Sequence, residues 1–153
     1  ALDLVGLLQS ELVWLLGERR GDFEHLAIGC ERAEKEARRF LSVAGSGPFG
    51  AGVGTALGEA SRSGRPRLDW PLPEISRFPD GAPLADAAAR IGARGISLAP
   101  LISPSRPMDL MLFTSPTTLS LDRRGASAVA VAIRHATMGL ELWRKGHPQG
   151  GLG

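Results

Sequence analysis

One thiol, three imidazoles and one glycine-rich turn are the groups in this 153-residue chain whose types suggest chemistry. Cys30 would act as a nucleophile or redox centre only beside a resolving cysteine or a group that lowers its pKa. The sequence supplies neither, so Cys30 reads as a small core residue. His25, His135 and His147 are far apart, and none has a ligand-type neighbour at a useful interval, so no metal site is expected. Haem ligation by His25 or His135 finds no support around either residue. Ser97 is not in a nucleophile elbow. With no acid/base or thiol constellation, no catalytic residue is expected and the chain reads as a non-enzyme. Gly45-Ser46-Gly47-Pro48-Phe49-Gly50 matches G-x-G-x-x-G, with Asp69 about twenty residues on, as a dinucleotide fingerprint requires. Pro48, however, removes an N–H from the turn that would cradle a pyrophosphate, and no parallel βαβ series follows. A flexible turn is the expectation. The Pro-rich loop from Pro71 to Pro83, with Trp70, Ile75 and Phe78, can line a pocket over a sheet or simply be tacked down by those side chains.

These residues need elements to hold them. The apolar runs Ile96–Ile102 and Met108–Phe113, joined by Ser103-Pro104-Ser105-Arg106-Pro107, predict a buried hairpin at the centre of an antiparallel sheet. Pro100 then marks a bulge or the free side of the first strand. Leu4, Leu8, Leu12 and Leu15 predict a helix over Leu2 to Glu18, with Leu7, Val13 and Trp14 widening its apolar surface. His25 to Glu31 and Arg39 to Ala44 predict two strands of a hairpin, the alternative being a helix through residues 31–41. Thr55 to Ser63 predicts a capped helix, Arg67 to Trp70 a short strand, and Leu84 to Ile91 a helix ended by Gly92. Leu121 to Lys145 predicts a long closing helix with Ala126, Val129, Ala130, Ile133, Ala136, Leu140 and Trp143 as its apolar stripe.

Length and composition fit a single domain over residues 1–145, with 146–153 as a flexible tail or linker. Hydrophobic residues make up 43% of the chain, enough for a real core. The net charge of +2 is spread as Arg pairs, Arg38-Arg39 and Arg123-Arg124, without a basic stripe, so direct nucleic-acid binding is not expected. No apolar run suits a bilayer span, and the first residues lack a signal peptide's basic region. With one cysteine, a cytoplasmic setting is expected.

From Phe49 to Leu142 the order of features resembles a GAF domain. Phe49-Gly50 leads through Gly54-Thr55-Ala56-Leu57 to the turn Ser63-Gly64-Arg65-Pro66. Gly92, Gly95-Ile96-Ser97-Leu98 and Ala99-Pro100-Leu101 follow the family's second motif, then come the strand Leu110 to Ser115 and a helix over Leu119 to Leu142. Met108-Asp109 departs from the family's usual glycine. Cys30 lies too early to be the bilin-attachment cysteine, the cysteines of the sulfoxide-reductase relatives are missing, and no cyclic-nucleotide signature is present. The resemblance implies an α/β (α+β) fold, a central antiparallel sheet of about five or six strands flanked by N- and C-terminal helices. It also implies a sensory domain for signal reception and dimerisation in a bacterial transcription regulator or sensor protein. A small-molecule ligand would sit nearest Trp70, Phe78, Arg94, Ser97 and Thr114, its identity unspecified. A homodimer through the terminal helices is expected, because Leu7, Val13, Trp14, Leu142 and Trp143 exceed what one sheet face covers. The alternatives are a small-molecule or redox enzyme of the same fold, or a dimerisation module without ligand.

Overall fold

The computed structural model describes residues 12–30, 34–45, 47–50, 52–103, 106–115 and 123–146. Two apolar hairpins supply most of its sheet. In the first, β1 (Leu12–Arg19) and β2 (Asp22–Cys30) are joined by Arg20 and Gly21, with φ of 55° and 85°. Two successive positive φ angles give the turn whose twist matches antiparallel strands. The Glu18 carboxylate accepts a 2.7 Å hydrogen bond from the Gly21 N–H there. The second hairpin is β5 (Gly95–Ser103) and β6 (Arg106–Ser115). Short strands β3 (Phe49–Gly50) and β4 (Arg67–Pro71) complete six antiparallel strands in the order β3-β2-β1-β6-β5-β4. Pro100 pairs with Leu110 and lies past Leu98, where β4 pairing stops, so its missing donor leaves no ladder gap on that side.

Alternation along the strands divides the core in two. Leu12, Trp14, Leu16, Ile96, Leu98, Leu110 and Leu112 face α1 (Glu34–Ala44), α2 (Ala56–Arg62), α3 (Leu72–Ile75) and α4 (Gly81–Arg90). Val13, Ala99, Leu101, Met111 and Phe113 face α5 (Arg123–Gly146) through its Val129, Ala132, Ala136 and Leu140. The α+β class, the antiparallel sheet and the β5–β6 hairpin are as expected from the sequence, but the centre of the sheet is the seam between β1 and β6 rather than that hairpin. Helix α2 also follows expectation: Thr55 Oγ1 accepts from the Gly58 N–H, and Ser63 is the C-cap. Among the described residues no helix is long and apolar enough to cross a membrane.

Four expectations are corrected. The segment Leu12 to Glu18 is a strand, not part of a helix, while residues 2–11, including Leu4, Leu7 and Leu8, lie outside the described residues. Strand β1 is one of the two central strands of a covered sheet and buries both faces. Leu12, Val13, Trp14 and Leu16 are all apolar, and a run without alternation imitates a helix in sequence. Arg39 to Ala44 is not a strand but the second half of α1, because Ala37, Phe40, Leu41 and Ala44 recur at helical steps and pack inward. The stretch Pro71 to Pro83 is mostly helical: α3 follows Pro71, and α4 begins at Gly81 with Pro83 in its first turn, where proline is tolerated. In α5, Ala132 rather than Ala130 faces the core.

Candidate functional site

Strand β4 is short and irregular, and its irregularity builds the site. Arg67 pairs with Leu98 and Trp70 with Ile96, so three steps on β4 oppose two on β5. The extra residue is accommodated at Asp69, whose φ is +54°. The Asp69 N–H, turned out of the ladder, donates to Ser97 Oγ at 2.8 Å. Across from it Gly95 allows a close approach: a Cβ there would stand 2.8 Å from Asp69 Oδ1 and 3.0 Å from the Trp70 carbonyl oxygen.

Three residues apart, Arg67 and Trp70 would point to opposite faces of a regular strand. The bulge brings them together instead, and the Arg67 guanidinium carbon lies 4.0 Å from the Trp70 ring centroid. The ring is 2% exposed. Phe78, in the turn between α3 and α4, meets it edge-on with centroids 5.2 Å apart. Trp70 Nε1 is buried and has no hydrogen-bond partner among the described residues. Asp80 closes the same corner by accepting from the Ala56 N–H at 2.7 Å and the Leu57 N–H at 3.4 Å, tying α4 to the start of α2.

The five residues singled out from sequence separate into groups. Trp70 and Phe78 touch. Thr114 pairs with Ile96, which also pairs with Trp70, and its parity with Leu110 and Leu112 places it on their face of the sheet. Ser97 has the opposite parity, that of Ala99 and Leu101, and its hydroxyl supports the β4 bulge. Arg94 is exposed in the turn before β5. Arg67 was missed because only the bulge brings it to Trp70.

Two further polar clusters lie elsewhere on the sheet. Trp14 Nε1 donates to His25 Nδ1 at 2.8 Å, while Phe40 and Phe49 meet the Trp14 ring edge-on at 5.6 and 5.4 Å. Accepting that bond at Nδ1 sets the neutral imidazole with its proton on Nε2, and burial pushes the His25 pKa below its ordinary 6.5. On the α5 side, Asp109 is 3% exposed and takes two bonds from Arg144, Nη1 to Oδ2 at 2.5 Å and Nη2 to Oδ1 at 3.0 Å. The Glu18 N–H donates to the same carboxylate at 3.1 Å. Arg144 stands one turn beyond Leu140 on the core side of α5, the sequence signal that could have marked it. Among the described residues no group of three or more His, Cys, Asp or Glu is placed to hold a metal ion. The Cys30 side chain and His147 lie outside the described residues.

No protein-family model matches the sequence, and comparison with curated proteins gave no match. Solved structures do match. The GAF domain of a two-component sensor histidine kinase from Bacillus halodurans superposes with a TM-score of 0.60 at 9% identity, covering 92% of this chain and 95% of that one. The phycocyanobilin-bound GAF domain of a cyanobacterial phytochrome gives 0.57 at 9% identity, over 95% and 82%. The free methionine-R-sulfoxide reductase of Neisseria meningitidis, in complex with its substrate, gives 0.55 at 18% identity, over 94% and 74%. The fold is therefore GAF-like. The reductase corrects the expectation of a non-enzyme: the fold is shared with an enzyme, so missing sequence motifs do not decide the matter.

Proposed function

We propose that this GAF-like domain receives a small-molecule signal in the cytoplasm, within a bacterial transcription regulator or sensor protein, and dimerises through α5. The observation that carries the reading is the corner where Trp70 and Phe78 meet between the sheet and the α3–α4 turn. Large aromatics under a short helical cover, with Thr114 on the same face, suit a small apolar ligand with a few polar groups. The sensor-kinase and phytochrome likenesses support a signalling role, and the bilin held by the phytochrome domain supports ligand binding on such a fold. Native mass spectrometry of protein purified from its source tests the reading. A retained small molecule that is lost in a Trp70→Ala variant supports it; wild-type protein that carries nothing and binds nothing from a metabolite extract rejects it.

Dimerisation draws on α5. Val131, Met138 and Leu142 are 42%, 54% and 66% exposed and follow one another at steps of one and two helical turns, on the side opposite the core seam. A second reading, a small-molecule or redox enzyme on the same fold, is favoured by the N. meningitidis reductase. Following the mass of the retained molecule on incubation separates the two, since turnover changes it and sensing does not.

A further inference from the structure

The bulged edge strand sets two donor groups, one of them the indole N–H itself, at a single tryptophan without an acceptor for either. Trp70 Nε1–H is buried in a residue 2% exposed and meets no partner among the described residues. Buried donors are ordinarily paired, and one that is not calls for an explanation. Above the same ring, 4.0 Å from its centroid, lies the Arg67 guanidinium. Arg19, Arg62, Arg90 and Arg144 each reach an Asp or Glu, but Arg67 has no carboxylate within ion-pair distance among the described residues. One neutral donor at the buried edge of the ring and one cationic donor over its face thus belong to the same indole, and the described residues supply neither with an acceptor.

We propose that Trp70 and Arg67 hold the carboxylate of a small organic acid. One carboxylate oxygen accepts from the indole Nε1–H and the other from the guanidinium fork, whose planar geometry suits a carboxylate. The body of the acid is apolar, because Phe78 meets the ring edge-on from the helical cover and Ile75 and Ile96 belong to the same apolar cluster. A phosphate dianion fits less well, since one cation and one neutral N–H balance a single negative charge. This inference rests on the ligand-binding reading of the Trp70 corner and adds the chemical class of the ligand. It also gives the bulge a purpose, because a regular β4 would place the two donors on opposite faces.

The test uses the full chain labelled with ¹⁵N. Its three tryptophans give three indole N–H signals, and Trp70→Phe identifies that of Trp70. The probes are phenylacetate and hexanoate, each beside its amide. Both acids are expected to move the Trp70 indole signal downfield and saturably, leaving that of Trp14, already bonded to His25, in place. Arg67→Gln, an exposed edge substitution, should weaken the acids about tenfold or more, and the amides should bind weaker than the acids by a similar factor. Amides that bind as tightly as the acids, or acids indifferent to Arg67→Gln, overturn the carboxylate inference while leaving a ligand site at this corner. A Trp70 signal that no probe moves at millimolar concentration also overturns it. The retained-mass experiment on Trp70→Ala then decides separately whether the corner binds any small molecule.

Discussion

At the scale of the residue, His25 and Asp109 make opposite kinds of polar contact, and each yields a prediction. The Trp14 indole N–H occupies Nδ1 of His25, so a protonated ring loses that bond, and burial lowers its pKa from 6.5. In the unfolded chain His25 titrates near 6.5, so between the two values the unfolded state binds more protons. The contribution is fully present above 6.5 and is lost as the pH falls through the lowered folded-state value. His25→Asn, which offers an uncharged acceptor, should flatten the fall in urea midpoint over this range; a variant with the wild-type slope contradicts the assignment. Asp109 and Arg144 form a bidentate pair with little access to solvent. Asp109→Asn leaves a buried guanidinium under-compensated and should cost about 3–5 kcal/mol in urea unfolding. Asp109→Leu combined with Arg144→Met should recover most of that loss. At this scale the sequence was partly legible. Trp70 and Phe78 stood out as isolated aromatics in a loop, whereas assigning Ser97 and Thr114 to opposite faces required the β5–β6 register, and Arg67 required the bulge.

At the scale of the element, legibility followed how many faces each segment buries. α2, with a Thr cap and a Ser-Gly stop, and the β5–β6 hairpin, bounded by Pro and Ser, carried their punctuation in sequence. β1 did not, because a strand covered on both sides needs no alternation. α1 was hidden by its charges, which obscured the inward positions Ala37, Phe40 and Ala44. The α3–α4 corner depends on Gly81, where a Cβ would stand 1.7 Å from the Ile75 carbonyl oxygen. Gly81→Ala must push α3 away from α4, at about 1–3 kcal/mol for overpacking. The expected result is a lower Tm together with loss of the Phe78 contact to Trp70, read as a red shift in emission on exposing that indole. An unchanged Tm would mean that α3 yields freely.

At the scale of the whole molecule, one sheet separates two cores, and α5 alone covers one of them among the described residues. Its inner seam faces the sheet while Val131, Met138 and Leu142 face outward. Burying those side chains against a second copy would contribute roughly 1.5–3 kcal/mol for each large residue before association costs. Met138→Glu combined with Leu142→Glu is expected to shift sedimentation from dimer to monomer at micromolar concentration without lowering Tm appreciably. A wild-type monomer, or a variant that keeps the dimer mass, rules out this face. The outward stripe on α5 was foreseen only at Leu142. Val13 and Trp14, also assigned to the dimer contact, are core residues of β1.

The pairing of β1 with β6 also governs the order in which the chain can fold. Glu18 and Asp109, hydrogen-bonded across that seam, stand 91 positions apart. The β1–β2 hairpin forms from local contacts, but one edge of β1 has no strand beside it until β6 arrives. During synthesis at ~5–20 residues per second that apolar edge waits several seconds, open to pairing with other nascent chains. Long-range closure of this kind also favours refolding on the slow side, in milliseconds to seconds. The seam that unites the finished sheet thus closes only once its last strand has been made, with α5 still to cover the second core.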